Sequence, residues 1–572
     1  MRTDVAPVFG PSPAHRQKIS WKQRARTQAL IESEQGGIEK DWGGRLPVAL
    51  LFPNAYHLGM SSLAIQTLYG LWNGRDDVVC ERVFYQQGVP HSVESGAPLD
   101  YFPVIAISLA YEMDYFNVVD LLTAASIPPR SKDRDESYPL ILAGGPAVSA
   151  NPAPLAAIMD AFVIGEVEPI LHSLTDALHL TADDRDTALA ALAELPGLYV
   201  PSIHGVDPVA TDSEKSVKIT RQWLRDLDRW PTHSLILTPN TEFANVGLVE
   251  IARGCGRGCR FCLAGYAFRP PRHRSLDALL PQARHLLERT ERLGLVSAAV
   301  SDHPDIDRLA IELRGLGARL TVSSMRVDPL SETLVRSLAQ SGTRTLTIAP
   351  EAGSERLRKV INKTQTEDDV LRAVDMAARH GIAHIKMYFM LGLPTEEPAD
   401  VQALVDLTLA CSERFPRQIT VNVTPFVPKA HTPFQRSAQT PASIVSQHIA
   451  LVKKGLLQRG IGVKSESPSQ AEIQGSLARG DYRLAEAIIA TKRVKPRSWR
   501  QAVESSELST EELLGRRPAG EPLPWSFVQS GVRRTYLTRE ARRATAARLS
   551  HPCPPTDCDS CGVSSPSATG FG

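Results

Sequence analysis

The sequence predicts an α/β protein in two units: a doubly wound domain over residues 46–200, then a partial (β/α)6 barrel of the TIM type over residues 246–470. Three observations predict it. Short apolar runs alternate with helix-like stretches in the first unit, the pattern of a parallel sheet covered on both faces. Six further runs alternate with helical stretches in the second, as in a parallel barrel. The chain has 572 residues, 42% of them hydrophobic, enough for about three or four domains with packed cores.

Residues 1–45 form a polar extension, with five basic and no acidic residues between Arg16 and Arg26; they read as a solvated helix or as an arm for nucleic acid. The first unit is Rossmann-like. Its runs are Pro47 to Pro53, Val104 to Leu109, Leu140 to Ala143 and Ala161 to Ile164, and Ser61 to Trp72 is the first helix. Ligands of such sheets sit beyond the carboxyl ends of the strands. Those ends carry Asn54 to Gly59, Ser108-Leu109-Ala110, Gly144-Gly145-Pro146 and Gly165-Glu166. Paired glycines there let a ligand approach the backbone. His57 alone reads first as a structural histidine.

Residues 201–245 read as a linker. The second unit follows, with runs Gly247 to Ile251, Leu295 to Val300, Arg319 to Val322, Thr343 to Ile348, His384 to Leu391 and Gln418 to Val423. Ser275 and Thr366 are expected to cap two of its helices. Residues 471–572 are a small C-terminal extension, Arg- and Pro-rich, with a basic stretch from Arg533 to Arg548 ahead of a cysteine-bearing tail.

The 64 basic and 63 acidic residues leave a net charge of +1, so no global field gathers nucleic acid or anionic membrane. Eight cysteines are too few for a disulfide scaffold and point to reduced thiols or metal ligation. The cytoplasm is the expected compartment. Met1 to Pro13 lacks the apolar core of a signal peptide, and no stretch approaches the ~20 apolar residues of a membrane span.

The strongest chemical signal follows the first strand of the second unit: Glu250-Ile-Ala-Arg-Gly-Cys255-Gly-Arg-Gly-Cys259-Arg-Phe261-Cys262. Three thiols on a Gly-rich loop can converge on one metal centre. A cubane held by three thiolates leaves one iron free for a small chelating substrate. The alternative is zinc held by these cysteines and His273.

The Cys255-x3-Cys259-x2-Cys262 motif, with Phe261 before the last cysteine, resembles the signature of radical S-adenosylmethionine (SAM) enzymes. The resemblance implies that the three cysteines hold a [4Fe-4S] cluster whose open iron chelates the methionine moiety of SAM. An electron then cleaves the sulfonium to a 5′-deoxyadenosyl radical, which requires an external donor of flavodoxin or ferredoxin type. Ser323-Ser324-Met325-Arg326, Ala349 to Ser354 and Met387 to Glu396 resemble elements that line the cofactor in this family. Glu351 would face the ribose or the methionine amino group, and Gly392-Leu-Pro394 would shape the adenine side. A carboxylate accepts bonds from hydroxyls or an ammonium, and a glycine admits a flat base.

The first unit is similar to the cobalamin-binding (B12) domains that precede some radical SAM cores. Their pattern is Asp-x-His-x-x-Gly, Ser-x-Leu and Gly-Gly. The counterparts would be Asn54 to Gly59, Ser108-Leu109-Ala110 and Gly144-Gly145, with Gly165 on the next loop. Asn54 replaces the aspartate, His57 is one residue nearer the glycine, and Leu109 follows Ser108 directly. The resemblance therefore implies cobalamin held by the loops without a histidine ligand. Residues 46–562 as a whole look like one family of B12-domain radical enzymes of uncharacterised substrate. The shared phrases include Gly144 to Pro152, Phe426 to Phe434, Arg479-Gly-Asp481 and the tail around Cys558-x2-Cys561-Gly562.

Cys553, Cys558 and Cys561 offer a second centre, an auxiliary cluster or zinc with His551, or else a free reducible tail. Cys80 and Cys411 read as core residues. Lys429 and His431 face a substrate or close the barrel mouth. The basic C-terminal stretch is a solvated helix or a face for RNA or the ribosome. The expected activity is reductive SAM cleavage, with cobalamin, for methylation or another radical modification. The alternatives are a radical enzyme without cobalamin acting on RNA or a ribosomal component, and a zinc-stabilised RNA-binding protein.

Overall fold

The first apolar run forms β1 (Leu46–Phe52), every residue buried. It is flanked by β2 (Val78–Phe84) and β3 (Val104–Ser108), then β4 (Leu140–Gly144), β5 (Ala161–Val163) and β6 (Leu198–Tyr199), in the order β2-β1-β3-β4-β5-β6. All pairings are parallel except β5 with β6. The strand order reverses beside β1, the crevice at which doubly wound sheets bind ligands. The description is of a computed structural model and covers residues 19–182, 184–209, 217–553 and 558–563. Of the polar extension and the basic stretch beginning at Arg16, residues 1–18 lie outside it.

Strand β2 is not among the expected runs because Glu81 and Arg82 interrupt its apolar texture. Both are buried. Arg82 is held by Glu34 at 2.8 Å and Glu94 at 2.6 Å, and Glu81 accepts the Trp42 indole N–H at 2.6 Å. Charged residues enter a fully buried strand only when so paired.

The two faces of the sheet alternate as strand geometry requires. Val48 and Leu50 face the helices Leu63–Asn73 and Leu171–His179. Ala49 and Leu51 face a core completed by the distant C-terminal helices Pro468–Arg479, Leu484–Ala490 and Pro496–Ser505. Trp499 meets Phe116 edge-on at 5.4 Å. The C-terminal extension is thus built into the first unit.

The second unit is an arc of parallel strands: β7 (Gly247–Glu250), β8 (Arg292–Val296), β9 (Arg319–Val322), β10 (Thr345–Glu351), β11 (His384–Leu391), β12 (Gln418–Pro425) and β13 (Gly462–Ser465). β7 to β9 and β10 to β13 form two sheets joined by a parallel bridge between Met325 and Ile348. The barrel is open. It has one strand beyond the six expected: β13 is a largely exposed edge strand, Gly-Val-Lys-Ser, with no apolar run to announce it. The expected strand Leu295 to Val300 is shifted to Arg292–Val296, because the chain leaves the sheet at Ser297. Ser275 and Thr366 cap their helices, accepting from the amides of Ala278 and Asp369.

Candidate active site

Immediately after β7, residues 252–253 pair antiparallel with 272–273 and close the base of the cysteine loop. Gly254 takes φ +82°, and a Cβ there would stand 2.2 Å from the Phe268 carbonyl oxygen, so only glycine fits. Arg260, fully buried, donates to the carbonyls of Lys359 and Val360 at 2.9 Å, to Arg548 at 2.7 Å and to Glu540 at 3.1 Å. Tyr266 donates to the Gly258 carbonyl at 3.2 Å. The loop is therefore fixed from several sides before any cofactor binds.

Cys255, Cys259 and Cys262 share one environment. Burial, then the neighbouring Cys259, pushes the Cys262 thiol up to about 12, with smaller contributions from Cys255 and Glu351. Burial likewise raises Cys255. Thiols held so close resist ionising unless a bound cation takes the place of their protons. Arg326, at the end of β9, brings Nη1 to 3.9 Å from Cys259 Sγ. Among the described residues no three His, Cys, Asp or Glu side chains converge closely enough for a single ion. His273 is exposed and sits edge-on to His303 at 5.4 Å.

Glu351 ends β10 at a register shift and adopts φ +68°, a left-handed backbone that a non-glycine residue holds only where its surroundings impose it. Its carboxylate meets Lys363 Nζ at 3.2 Å and acts on Cys262. Phe261 packs against the cluster of Ala352, Leu393 and Phe426, which joins the cysteine loop to the Gly392-Leu-Pro394 turn. That turn is built by Glu396, which accepts the Gly392 amide at 2.8 Å and the Leu393 amide at 3.3 Å and pairs with His448 at 2.8 Å. Ser323 stands exposed at the end of β9, two residues from the buried Met325.

Between the two sheets lies a cavity of about 400 Å³, the size of a cofactor site. One wall holds Ser108, Gly144, Gly145 and Gly165 from the strand ends of the first sheet; the other holds Arg253, Gly254 and Phe268 at the base of the cysteine loop. A Cβ on Gly144 would meet nothing closer than 3.7 Å, so the space it leaves belongs to the cavity. Gly145, at φ +105°, would place a Cβ 2.6 Å from the Leu109 carbonyl oxygen and serves the fold itself. The cavity continues along the helix Leu63–Asn73, past Ala64, Leu68 and Leu71. Among the described residues the Thr67 hydroxyl on this wall has no partner. The slot is lined mostly by apolar side chains, with glycine at its mouth.

Asn54 and His57 do not line this cavity. Asn54 accepts the Ala55 amide and donates to Asp114 Oδ1, both at 2.8 Å, and so builds its own turn. His57 is about half exposed, 3.6 Å from Glu242. Lys429 does not line this cavity either: it pairs with the buried Glu112 of the first unit at 2.5 Å. His431 is buried, and burial lowers it to about 4. Sequence reasoning missed the helix Leu63–Asn73 as a wall. The signal was there: apolar residues at 63, 64, 68 and 71 besides the buried Ile65, Tyr69 and Trp72 leave it apolar on more than one face.

A buried ion network ties the two walls. Glu166 accepts from Arg272 at 2.7 and 2.9 Å, from Arg253 at 3.0 Å and from the Leu224 amide at 2.9 Å. Arg253 continues to Glu168 at 2.9 Å and Glu250 at 3.0 Å, and Arg274 reaches Glu250 at 2.6 Å.

This combination of a cysteine loop at the mouth of an open parallel barrel and a doubly wound domain facing it defines a radical SAM enzyme, and the chain belongs to that superfamily. Residues 249–408 match the radical SAM superfamily, and residues 64–201 match the N-terminal domain of radical SAM proteins. The uncharacterized protein MJ0966 of Methanocaldococcus jannaschii is 32% identical over 476 residues, spanning 82% of this chain and 96% of its own. A tRNA-2-methylthio-N(6)-dimethylallyladenosine synthase of Cereibacter sphaeroides is 25% identical over 38% of this chain and 54% of its own. The radical SAM methyltransferase TsrM of Kitasatospora setae, solved with cobalamin and a [4Fe-4S] cluster, shares the fold: TM-score 0.50, 13% identity, covering 81% of this chain and 100% of that one. The protein is an enzyme, and the zinc-stabilised RNA-binding alternative falls. Among the described residues no helix is long and apolar enough to cross a membrane.

Proposed function

We propose that the protein methylates, or otherwise modifies by radical chemistry, a substrate held at the seam of its two sheets, using SAM, a [4Fe-4S] cluster and cobalamin. Cys255, Cys259 and Cys262 are the ligands of the cluster. Ser108, Gly144, Gly145 and Gly165 would bound the corrinoid, and the apolar slot along Leu63–Asn73 would receive part of it. When bound, the cluster supplies the electron that breaks the SAM sulfonium and the corrinoid supplies a methyl carrier.

The chain's own residues do the positioning. Glu351, fixed by its strained backbone and by Lys363, accepts bonds from the ribose hydroxyls or the ammonium of SAM. Ser323 and the Gly392-Leu-Pro394 turn bound the rest of the nucleoside, and Phe261 keeps water from that side. Arg253 and Glu166 hold the two walls in register, so that reacting groups meet without solvent between them. The electron donor is an external flavodoxin- or ferredoxin-type protein.

The observation that carries this reading is a cavity bounded on one side by the loops after β3 and β4 and on the other by the root of the cysteine loop. The test is an anaerobic SAM-cleavage assay of the reconstituted protein with and without cobalamin, read for 5′-deoxyadenosine and S-adenosylhomocysteine together. Cobalamin-dependent S-adenosylhomocysteine is the expected result. Deoxyadenosine alone, with no spectral change on hydroxocobalamin titration, would leave the first unit without a corrinoid.

A further inference from the structure

We propose that Cys553, Cys558 and Cys561 hold a second iron–sulfur cluster, docked against the loop that carries the first. The inference goes beyond the reading above and does not depend on cobalamin. The tail that bears these cysteines is folded onto the cysteine loop. The Cys553 amide donates to the Gly256 carbonyl at 2.7 Å. A Cβ on Gly256 would stand 3.0 Å from Cys553 Cβ, so the glycine of the first motif makes room for the tail. Cys561 is buried with Tyr266, Val532, Leu537 and Val563, its carbonyl accepts the Arg533 amide at 2.8 Å, and the Gly562 amide bonds Asp559 at 2.9 Å. The residues around Cys561 are therefore anchored in the protein.

The second observation is a buried cation without a carboxylate. Arg269 is 2% exposed. Its guanidinium lies between the rings of Tyr266 and Tyr536, at 4.7 and 5.5 Å, and donates to the Gly265 carbonyl at 2.7 Å. Among the described residues it forms no ion pair with an acid. Its ionisable neighbours are Tyr536, Cys553, Tyr266 and Cys561. A buried guanidinium without a counter-charge is costly, and a thiolate-ligated cluster beside Cys553 and Cys561 supplies that charge. On assembly the three thiols give up their protons to solvent and bind iron as thiolates.

The test uses the full chain, reconstituted anaerobically with iron and sulfide, with iron, sulfide and zinc counted and the reduced protein read by electron paramagnetic resonance. About eight irons per chain are expected, falling to about four in the triple variant C255A/C259A/C262A, which keeps a reducible signal, and to about four in C553A/C558A/C561A. The signal retained by the first variant decides the matter even if the second fails to fold. Arg269→Gln should move the reduction potential of the retained centre downward in the first variant, because a cation beside the cluster is lost. About four irons in the native chain, all lost in C255A/C259A/C262A, or one zinc that disappears only in the tail variant, would overturn the proposal and leave the SAM chemistry intact.

Discussion

Glu166→Gln tests whether the seam is held by charge. The carboxylate is 6% exposed and accepts three bonds from Arg272 and Arg253 and one from the Leu224 amide. Burial works against its charge, but Arg272 and then Arg253 more than offset it and bring the carboxyl from 4.5 to about 2. That difference is worth ~3 kcal/mol at neutral pH. Removing one member of a buried ion pair costs ~3–5 kcal/mol, so two independent routes give the same size. The amide keeps the volume, removes the carboxylate that pairs with Arg272 and leaves Arg253 with Glu168 and Glu250. Urea unfolding of the full chain, followed by tryptophan fluorescence, should therefore show a loss of ~3 kcal/mol at pH 7. Trp223, with the Arg272 guanidinium 5.3 Å from its ring, reports from the seam itself.

The sign with pH follows from the direction of the shift. A depressed carboxyl stabilises the fold fully above its unfolded value near 4.5, and that contribution is lost as pH falls toward 2. The gap between wild type and Glu166→Gln should be constant from pH 6 to 8 and shrink below about 4.5. A gap under ~1 kcal/mol at pH 7, or one that widens on acidification, would refute the reasoning. Because Gly165 and Glu166 both border the cavity, the variant should also bind hydroxocobalamin more weakly.

Gly144→Val should abolish the spectral change with hydroxocobalamin while leaving the urea midpoint near that of wild type, since the nearest protein atom is 3.7 Å from the new Cβ. Gly145→Ala should do the opposite first and cost at least ~1–3 kcal/mol of stability, because its φ of +105° and the Leu109 carbonyl 2.6 Å away admit no side chain. Lys429→Met should destabilise by ~3 kcal/mol at pH 7 by leaving Glu112 buried without its cation. That loss should ease on acidification, as Glu112 takes up a proton, and an equal loss at pH 5 and pH 8 would count against it.

The cysteine loop, the alternation of the two sheets and the glycine pairs were legible because each rests on local chemistry: thiol spacing, apolar periodicity and backbone freedom. What was not legible depends on partners distant in the chain. β2 hides behind Glu81 and Arg82, whose neutralising contacts come from residues 34, 42 and 94. Asn54 and His57 stand where a B12 pattern puts its ligands, yet here they build a turn and a surface pair. Glu540, the one acid of the basic C-terminal stretch, is the residue that Arg260 draws into the core. Arg534, Arg539 and Arg542 on the same helix stay exposed.

The domain boundaries read from composition divide the chain where it looks different, but the packing divides it where apolar surface needs cover. Ile473, Leu484, Trp499 and Phe527 belong to the core of the first sheet, and Val532, Leu537, Cys561 and Val563 pack with Tyr266 beside the cysteine loop of the second. The seam is thus clamped by Lys429 and Glu112 on one side and by the Arg253 network on the other. A chain folded this way cannot separate its two sheets without breaking buried ion pairs on both sides. A cavity whose walls come from different sheets keeps a fixed spacing only if both clamps hold, and chemistry passed between two cofactors depends on that spacing.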